Sequence, residues 1–227
     1  MTQRREGLLG FFATLSLAVV ARGATVPFTE TFSAGSSNWG DSTSAPLSWS
    51  AGGGPDGGYA FGTFNFQNTQ AGNDLVMLRS SQAMGSSGGA LFGNWITDGV
   101  TGFSAYVRQD SGTPLTFFVR YADPAGFPGA VSLIAAPVPS GEWTRIDVAL
   151  PNPALIFEGP FGYSDLFDNI GRVQFGVRVP AALAGTNTTV TFGLDNVSIV
   201  PEPATLLLLG IGGMAFTAHR RVRRAGR

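Results

Sequence analysis

Hydrophobic and polar residues alternate through several short segments in the middle of the chain. The clearest are Val100–Gln109 and Pro114–Tyr121, which are separated by the turn residues Asp110-Ser111-Gly112. A period of two residues sends alternate side chains to opposite faces of a β-strand. The pattern therefore predicts a strand, a turn and a returning strand, each with one buried face.

Other segments with the same alternation predict further strands. They are Val26–Phe32, Leu75–Leu78, Ala90–Phe92, Val131–Ala135, Gly141–Leu150, Ile170–Val179 and Thr188–Ile199. The glycine- and serine-rich residues 33–62 read as loop, and helical periodicity between the two ends of the chain is confined to the region near residues 165–169. Short strands at this spacing predict an all-β fold, an antiparallel β-sandwich over residues 25–199.

The N-terminal segment has a different pattern, which is typical of a secretory signal peptide. Gln3-Arg4-Arg5 is basic, residues 8–20 are apolar, and Ala21-Arg22-Gly23-Ala24 offers small residues for cleavage. We therefore assign residues 1–24 to a signal helix, with the cut after Gly23 or after Ala24. Glu6-Gly7 follows the arginine pair where a twin-arginine signal has bulky apolar residues, which favours the general secretion machinery.

The C-terminal segment, residues 200–227, has three parts in a fixed order. Val200, Pro201, Glu202 and Pro203 come first, an uncharged apolar run covers residues 204–218, and a basic tail covers residues 219–227. The prolines end the preceding domain, because proline cannot continue a strand or sit inside a helix. As a helix the apolar run measures roughly 21–23 Å, against a bilayer core of roughly 30 Å.

Pro203 at its entry and snorkelling arginines at its exit can extend that run to a transmembrane helix. The arginines that would hold the tail on the cytoplasmic side are Arg220, Arg221, Arg223 and Arg224. A buried core helix is the alternative, but a core helix rarely joins an uninterrupted apolar surface to a block of arginines.

This order of motif, hydrophobic helix and arginine cluster resembles the PEP-CTERM sorting signal of Gram-negative bacteria. The resemblance implies that the partner is an exosortase, a membrane-embedded cysteine transpeptidase that processes its substrates near the Pro201-Glu202-Pro203 motif. It also implies export through the inner membrane to the cell envelope or the extracellular matrix. Such proteins tend to occur in bacteria that make exopolysaccharide and biofilm matrix.

Composition excludes several function classes for residues 25–199. The chain has no cysteine and no lysine, and its one histidine, His219, lies in the basic tail. Nucleophilic triads that need histidine or cysteine are therefore excluded from the exported region. Much of the positive charge sits in the two terminal segments, so the exported region is acidic and lacks the basic patch that nucleic-acid binding requires.

Three motifs resemble the jelly-roll fold of carbohydrate-binding modules and galactose-binding-like domains. They are Gly141–Ile146 before a strand, Val173–Val177, and Phe192–Ile199 with its Asp-Asn-Val sequence. The resemblance implies two antiparallel sheets with the first and last strands adjacent. It also implies a structural calcium ion held by Glu30 and Asp195.

Calcium takes six to eight oxygen ligands, so backbone carbonyls and Asp56 or Asn196 would have to complete such a site. The alternative is that Asp195 bonds a neighbouring loop and Glu30 faces solvent. The glycine-rich residues 52–58 are predicted to form a flexible turn or an ion-holding loop.

Aromatic residues in the glycine-rich stretches are candidates for glycan binding, because flat exposed rings stack on sugar rings. They are Trp39, Trp49, Tyr59 and Trp95. The alternative for each is a structural role, covering an end of the sandwich. Trp143, at the entry to a strand, is predicted to lie in the core.

Two functions of different classes follow from these observations. The first is a non-catalytic surface or matrix protein that binds extracellular polysaccharide. The sequence does not distinguish this function from that of a purely structural matrix component without a ligand. The second is a secreted polysaccharide hydrolase, which needs two carboxylates roughly 5–9.5 Å apart. The available carboxylates are Glu142, Asp147, Glu158, Asp165 and Asp168.

Overall fold

The computed structural model describes residues 23–201. The predicted signal segment therefore lies outside the described residues except for Gly23 and Ala24. Glu202, Pro203, the predicted transmembrane helix 204–218 and the basic tail also lie outside. Within residues 23–201, no helix combines the length and the apolar character needed to cross a membrane.

Eleven strands and one short helix form the described part of the chain. In chain order they are β1 (Phe28–Glu30), β2 (Ser48–Gly54), β3 (Gly57–Asn65), β4 (Asp74–Ser81), β5 (Val100–Gln109), β6 (Phe117–Ala122), β7 (Gly129–Leu133), β8 (Thr144–Ala149), β9 (Ile156–Phe157), α1 (Tyr163–Phe167), β10 (Arg172–Arg178) and β11 (Thr189–Pro201). Short 3₁₀ turns occupy Gln82–Met84 and Ser86–Gly89.

The strands build two antiparallel sheets, which confirms the predicted jelly-roll sandwich. Sheet A has the order β2-β3-β11-β5-β8, with β1 paired to β11 as well, and sheet B has the order β4-β10-β6-β7-β9. Glu30 of β1 is the register partner of Val197 in β11, so the predicted adjacency of the first and last strands is confirmed.

The returning strand after Asp110–Gly112 differs from the expectation. β5 belongs to sheet A, whereas β6 belongs to sheet B, so the two strands lie on opposite sides of the core and do not pair. The segment between β5 and β6 therefore connects sheet A to sheet B. The alternation alone could not distinguish these arrangements, since both bury one face of each strand.

The core between the sheets is filled largely by aromatic rings. Tyr121 lies 5.6 Å from Trp95 and 5.6 Å from Phe103, measured between ring centroids, and all three side chains are buried. The Tyr121 hydroxyl has no hydrogen-bond partner. Burial raises the pKa of Tyr121 well above its ordinary value, so the hydroxyl stays neutral.

Two local predictions are wrong. Residues 33–62 are not all loop, because they contain the β2–β3 hairpin, whose glycines carry no hydrophobic pattern. Ala90–Phe92 is not a strand but a series of turns. These residues follow Gly88 and Gly89, whose φ angles of 62° and 90° belong to turns rather than to extended chain.

Candidate functional site

The outer face of sheet A carries a cluster of three aromatic rings. The centroid of Tyr59 in β3 lies 5.2 Å from that of Trp143, which precedes β8, and 5.6 Å from that of Phe61. All three are partly exposed, because Tyr59 and Phe61 alternate with the buried Ala60, and Trp143 is two residues from the exposed Arg145. We call Tyr59, Phe61 and Trp143 the aromatic platform.

Trp143 is fixed on this face by contacts with two other strands. Its indole Nε1 donates a hydrogen bond of 2.7 Å to the carbonyl oxygen of Gly53 at the end of β2. Its ring also crosses Gly193 of β11, where a Cβ atom would lie 2.9 Å from Cη2 of Trp143. Glycine at position 193 therefore allows the indole to lie close to the sheet.

A pocket of about 230 Å³ adjoins the platform. Its walls are formed by Tyr59, Arg108, Gln109, Asp110, Thr191 and Gly193. Asp110 Oδ1 accepts a hydrogen bond of 2.7 Å from the backbone N–H of Thr191. Within residues 23–201, Arg108 forms no salt bridge. The pocket therefore combines an aromatic wall with a cationic donor and an anionic acceptor, a composition suited to a ligand with an apolar ring and hydroxyl groups.

The predicted glycan-binding aromatics do not come together. Trp39 and Trp95 are fully buried, so neither can stack on a ligand, and their predicted exposure is wrong. Their indole N–H groups are satisfied inside the protein, by Ser87 Oγ at 2.9 Å and by the Leu91 carbonyl oxygen at 3.0 Å.

Of the other two predicted aromatics, only Tyr59 belongs to the platform. Trp49 is 39% exposed, but it is the cross-strand partner of Ala60 and so lies on the opposite face of sheet A from Tyr59. Trp143 was predicted to be in the core and is instead the centre of the platform. The alternation of Trp143, Arg145 and Asp147 against Ile146 and Val148 already indicated this outward direction.

Four polar residues meet where β1, β11 and the β2–β3 turn converge. Asp195 and Asn196 lie in an irregularity of the β11–β5 pairing, and Asn196 has a φ of 49°. Asn196 Nδ2 donates a hydrogen bond of 2.6 Å to Asp56 Oδ2. Glu30 Oε1 accepts a bond of 2.9 Å from the backbone N–H of Phe32. We call Glu30, Asp56, Asp195 and Asn196 the acidic cluster.

Two oxygens of the acidic cluster are buried without a hydrogen-bond partner. Asp195 is fully buried, and its Oδ1 accepts a bond of 2.7 Å from the Asn196 backbone N–H, while its Oδ2 has no partner. Asn196 Oδ1 likewise has none. A buried oxygen without a hydrogen-bond partner lowers the free energy of unfolding unless a ligand binds it.

The electrostatics of Asp195 agree with this geometry. Burial raises the pKa of Asp195 to about 6. The backbone N–H groups of Asn196 and Asp56 oppose the rise, and the charges of Asp56 and Glu30 add to it. Within residues 23–201, no three Asp, Glu, His or Cys side chains converge closely enough to hold a metal. A cation bound at this cluster would therefore need amide and backbone oxygens in addition to the carboxylates.

Three of the five carboxylates suggested for a hydrolase are engaged in contacts within the protein. Glu158 is bound to Arg120 at 2.6 Å, and Asp147 is bound to Arg145 at 2.9 Å. Asp165 accepts a bond of 2.7 Å from the Gly162 N–H at the start of α1. Asp195, whose raised pKa would suit a general acid, has no exposed surface for a substrate to approach.

Comparison with known proteins identifies the C-terminal segment and the fold. Residues 200–224 match the PEP-CTERM protein-sorting motif. That motif indicates an exported protein of a Gram-negative bacterium that is anchored through its C-terminal region. No curated protein matches the sequence.

Among solved structures, the chain is similar to part of an exo-beta-agarase, with 14% identity, a TM-score of 0.52, and coverage of 79% of this chain and 25% of that one. It is also similar to the family 11 carbohydrate-binding module of Clostridium thermocellum in complex with a beta-1,3-1,4-mixed-linked tetrasaccharide. There the identity is 14%, the TM-score is 0.49, and the coverage is 79% of this chain and 98% of that one. At such identities the likeness shows a shared jelly-roll fold.

Proposed function

We propose that this protein is an exported, non-catalytic polysaccharide-binding protein that an exosortase sorts to the cell envelope or extracellular matrix. The PEP-CTERM motif at residues 200–224 supports the sorting step. The jelly-roll fold of residues 23–201 is compatible with carbohydrate binding, but the proposal depends on the outer face of sheet A. Exopolysaccharide of the producing cell, as in a biofilm matrix, is the proposed ligand.

The aromatic platform is the observation that carries this proposal. Tyr59 and Trp143 meet edge to face, with an interplanar angle of 80°, so their rings form two walls at a steep angle. The apolar face of a pyranose packs on such a ring, and the neighbouring Arg108 and Asp110 can exchange hydrogen bonds with its hydroxyl groups. An open sheet face can accommodate several consecutive sugars of a polymer.

We further propose that the acidic cluster binds calcium as a structural ion. Asp195 Oδ2 and Asn196 Oδ1 are the unpartnered oxygens that would bind it, and Glu30 and Asp56 supply further negative charge. The ion would tie β1 and the β2–β3 turn to β11. Its role would be stability, because Asp195, which supplies one of the two unpartnered oxygens, is fully buried.

Affinity electrophoresis through gels containing polysaccharide tests the proposed function. The full chain is purified in detergent and run through neutral and anionic polysaccharides, including the producing organism's own matrix polymer. Retardation by at least one polymer, lost in the Trp143→Ala and Tyr59→Ala variants, is the expected result. Release of shortened chains from a retained polymer would instead favour the hydrolase, and migration unaffected by every polymer would overturn the proposal.

A further inference from the structure

The carboxylate of Asp98 lies against the backbone of Gly23 and Ala24, near the start of the described residues. Its Oδ2 accepts a hydrogen bond of 2.7 Å from the backbone N–H of Ala24. A Cβ atom on Gly23 would lie 2.9 Å from Oδ1 and 3.0 Å from Oδ2 of the same carboxylate. The next amide, that of Thr25, donates to the carbonyl oxygen of Ala90 at 2.9 Å. The nitrogen of Ala24 is therefore the one that the carboxylate approaches.

Asp98 has no cationic partner within residues 23–201. The three salt bridges there involve Glu158, Asp147 and Asp74. The one hydrogen bond to the Asp98 carboxylate in that range comes from the uncharged N–H of Ala24. Asp98 is half-buried. Because a carboxylate in partial burial is bound much more strongly by a charged donor than by a neutral one, this position favours an ammonium group.

We propose that the Gly23–Ala24 peptide bond is the signal-peptide cleavage site and that Asp98 is the counter-ion of the new N-terminus. A membrane-bound signal peptidase would hydrolyse the bond. The oxygen of a water molecule joins the Gly23 carbonyl carbon, and the nitrogen of Ala24 becomes a primary amine, protonated near neutral pH. Ala21 and Gly23 supply small residues at the third and first positions before the bond, as a signal peptidase requires.

The folded structure suits the product of this cleavage better than the product of cleavage at the next bond. Cleavage after Ala24 would leave Asp98 without its donor and would place the ammonium of Thr25 against the neutral carbonyl of Ala90. Cleavage after Gly23 keeps the Ala24 nitrogen in place and turns a neutral hydrogen bond into a charged one. It also removes Gly23, whose backbone lies against the carboxylate. This inference rests on the predicted signal peptide and is independent of glycan binding.

The cleavage site is tested by sequencing the N-terminus of the protein exported by a Gram-negative host. Ala24 as the first residue is the expected result. Thr25 or any other first residue, or retention of the leader, would overturn the proposal. Substitution of Asp98 is not expected to move the cut, because the peptidase acts before the domain folds.

The counter-ion is tested with an amine-acetylating reagent. The chain has no lysine, so the α-amine of the mature protein is its one reactive amine. We expect the native protein to react several-fold more slowly than the Asp98→Asn variant, because the ion pair keeps the amine protonated and covered. Asp74→Asn, which removes an exposed ion pair with Arg178, is the matched control and should react like the native protein.

Thermal unfolding gives a second readout of the same pair. Asp98→Asn and α-amine acetylation should each lower the Tm of the mature protein by about 2–4 °C, and acetylation of the variant should add little. Equal acetylation rates in native and variant protein, or Tm effects that add fully, would overturn the assignment of Asp98.

Discussion

The indole of Trp143 lies directly on the backbone of β11 at Gly193, where a Cβ atom would come within 2.9 Å of the ring. This glycine is needed for close approach and not for an unusual backbone angle. The contact lets one side chain reach from the start of β8 to the carbonyl oxygen of Gly53 in β2. The aromatic platform therefore depends on a residue that has no side chain of its own.

Gly193→Ala should displace the indole and weaken both stability and polysaccharide binding. The added methyl group overpacks the contact, and an expected cost of about 1 kcal/mol lowers the Tm by about 2–4 °C. Gly52→Ala is the matched control, since a Cβ atom there meets nothing within 4 Å. Calorimetry and affinity electrophoresis on both variants check this, and similar behaviour of the two would contradict the role given to Gly193.

Trp143→Ala should reduce polysaccharide affinity about tenfold or more, which corresponds to about 1.4 kcal/mol or more. Trp49→Ala removes an indole from the opposite face of sheet A and should leave the affinity unchanged. The comparison requires isothermal titration with the polymer that the full chain retains. If Trp49→Ala reduced the affinity as much as Trp143→Ala, the binding surface would have been assigned to the wrong face.

Calcium should raise the Tm when added to EDTA-treated protein. At a free concentration a hundredfold above its Kd, one site contributes about 2.7 kcal/mol, or about 5–10 °C for a domain of this size. Asp195→Asn should abolish that gain, and Asp74→Asn should retain it. Magnesium should substitute poorly, because it demands a more regular octahedral site. An identical Tm with EDTA and with calcium would contradict the proposed ion.

The acidic cluster should also give the calcium-free protein a characteristic pH dependence. The pKa of Asp195 is raised from 3.8 to about 6 in the folded state, so the folded protein binds the proton more tightly than the unfolded chain does. This contribution to stability is complete below about pH 4 and is lost as the pH rises through about 6.

Asp195→Asn removes that titration, so in EDTA the Tm of the variant relative to the native protein should rise between pH 4 and pH 7. Differential scanning fluorimetry at matched pH values measures the difference. The comparison separates the contribution of Asp195 from those of carboxylates outside the acidic cluster. A difference that stayed constant across this range would show that Asp195 is ionised throughout.

Tyr121→Phe should leave the stability unchanged or raise it slightly. The hydroxyl of Tyr121 is buried without a partner, so its removal relieves a desolvation cost of up to about 1–3 kcal/mol. The ring contacts with Trp95 and Phe103 persist in phenylalanine. Tyr121→Leu is the contrasting variant, and the loss of these ring contacts should destabilise it. Chemical denaturation distinguishes the two, and a marked loss in Tyr121→Phe would indicate a polar partner for the hydroxyl.

The alternation of side chains was enough to predict most of the sandwich. In β5, every second residue from Phe103 to Gln109 is buried, and the predicted range Val100–Gln109 agrees with the observed one. The β2–β3 hairpin was not predicted, because its glycines have no side chains and therefore interrupt the alternation of hydrophobic and polar residues. The assignment of each strand to one of the two sheets could not be predicted either, since the pairing of β5 with β8 and β11 joins residues that are distant in the chain.

The candidate site was less predictable than the fold, because an aromatic residue in a glycine-rich segment can face either way. Trp39 looks exposed from its neighbours in sequence, yet it packs between Phe32 and Phe175 in the core. Trp143 was predicted to be a core residue from its position at a strand entry, although its alternation with Arg145 and Asp147 indicated the outer face. Glu30 and Asp195 were placed near each other by the adjacency of β1 and β11, which the motif resemblance implied, and the calcium ion itself stays a prediction.

The last strand continues past residue 199, where the sequence predicted that the domain ends, so β11 includes the first two residues of the sorting motif. Val200 and Pro201 pair with Gly102 and Val100 of β5, and they are also the first residues of the sorting motif. An enzyme that binds this motif as an extended peptide competes with β5 for the same backbone groups. Release of these two residues as an extended peptide would therefore require their pairing with β5 to break.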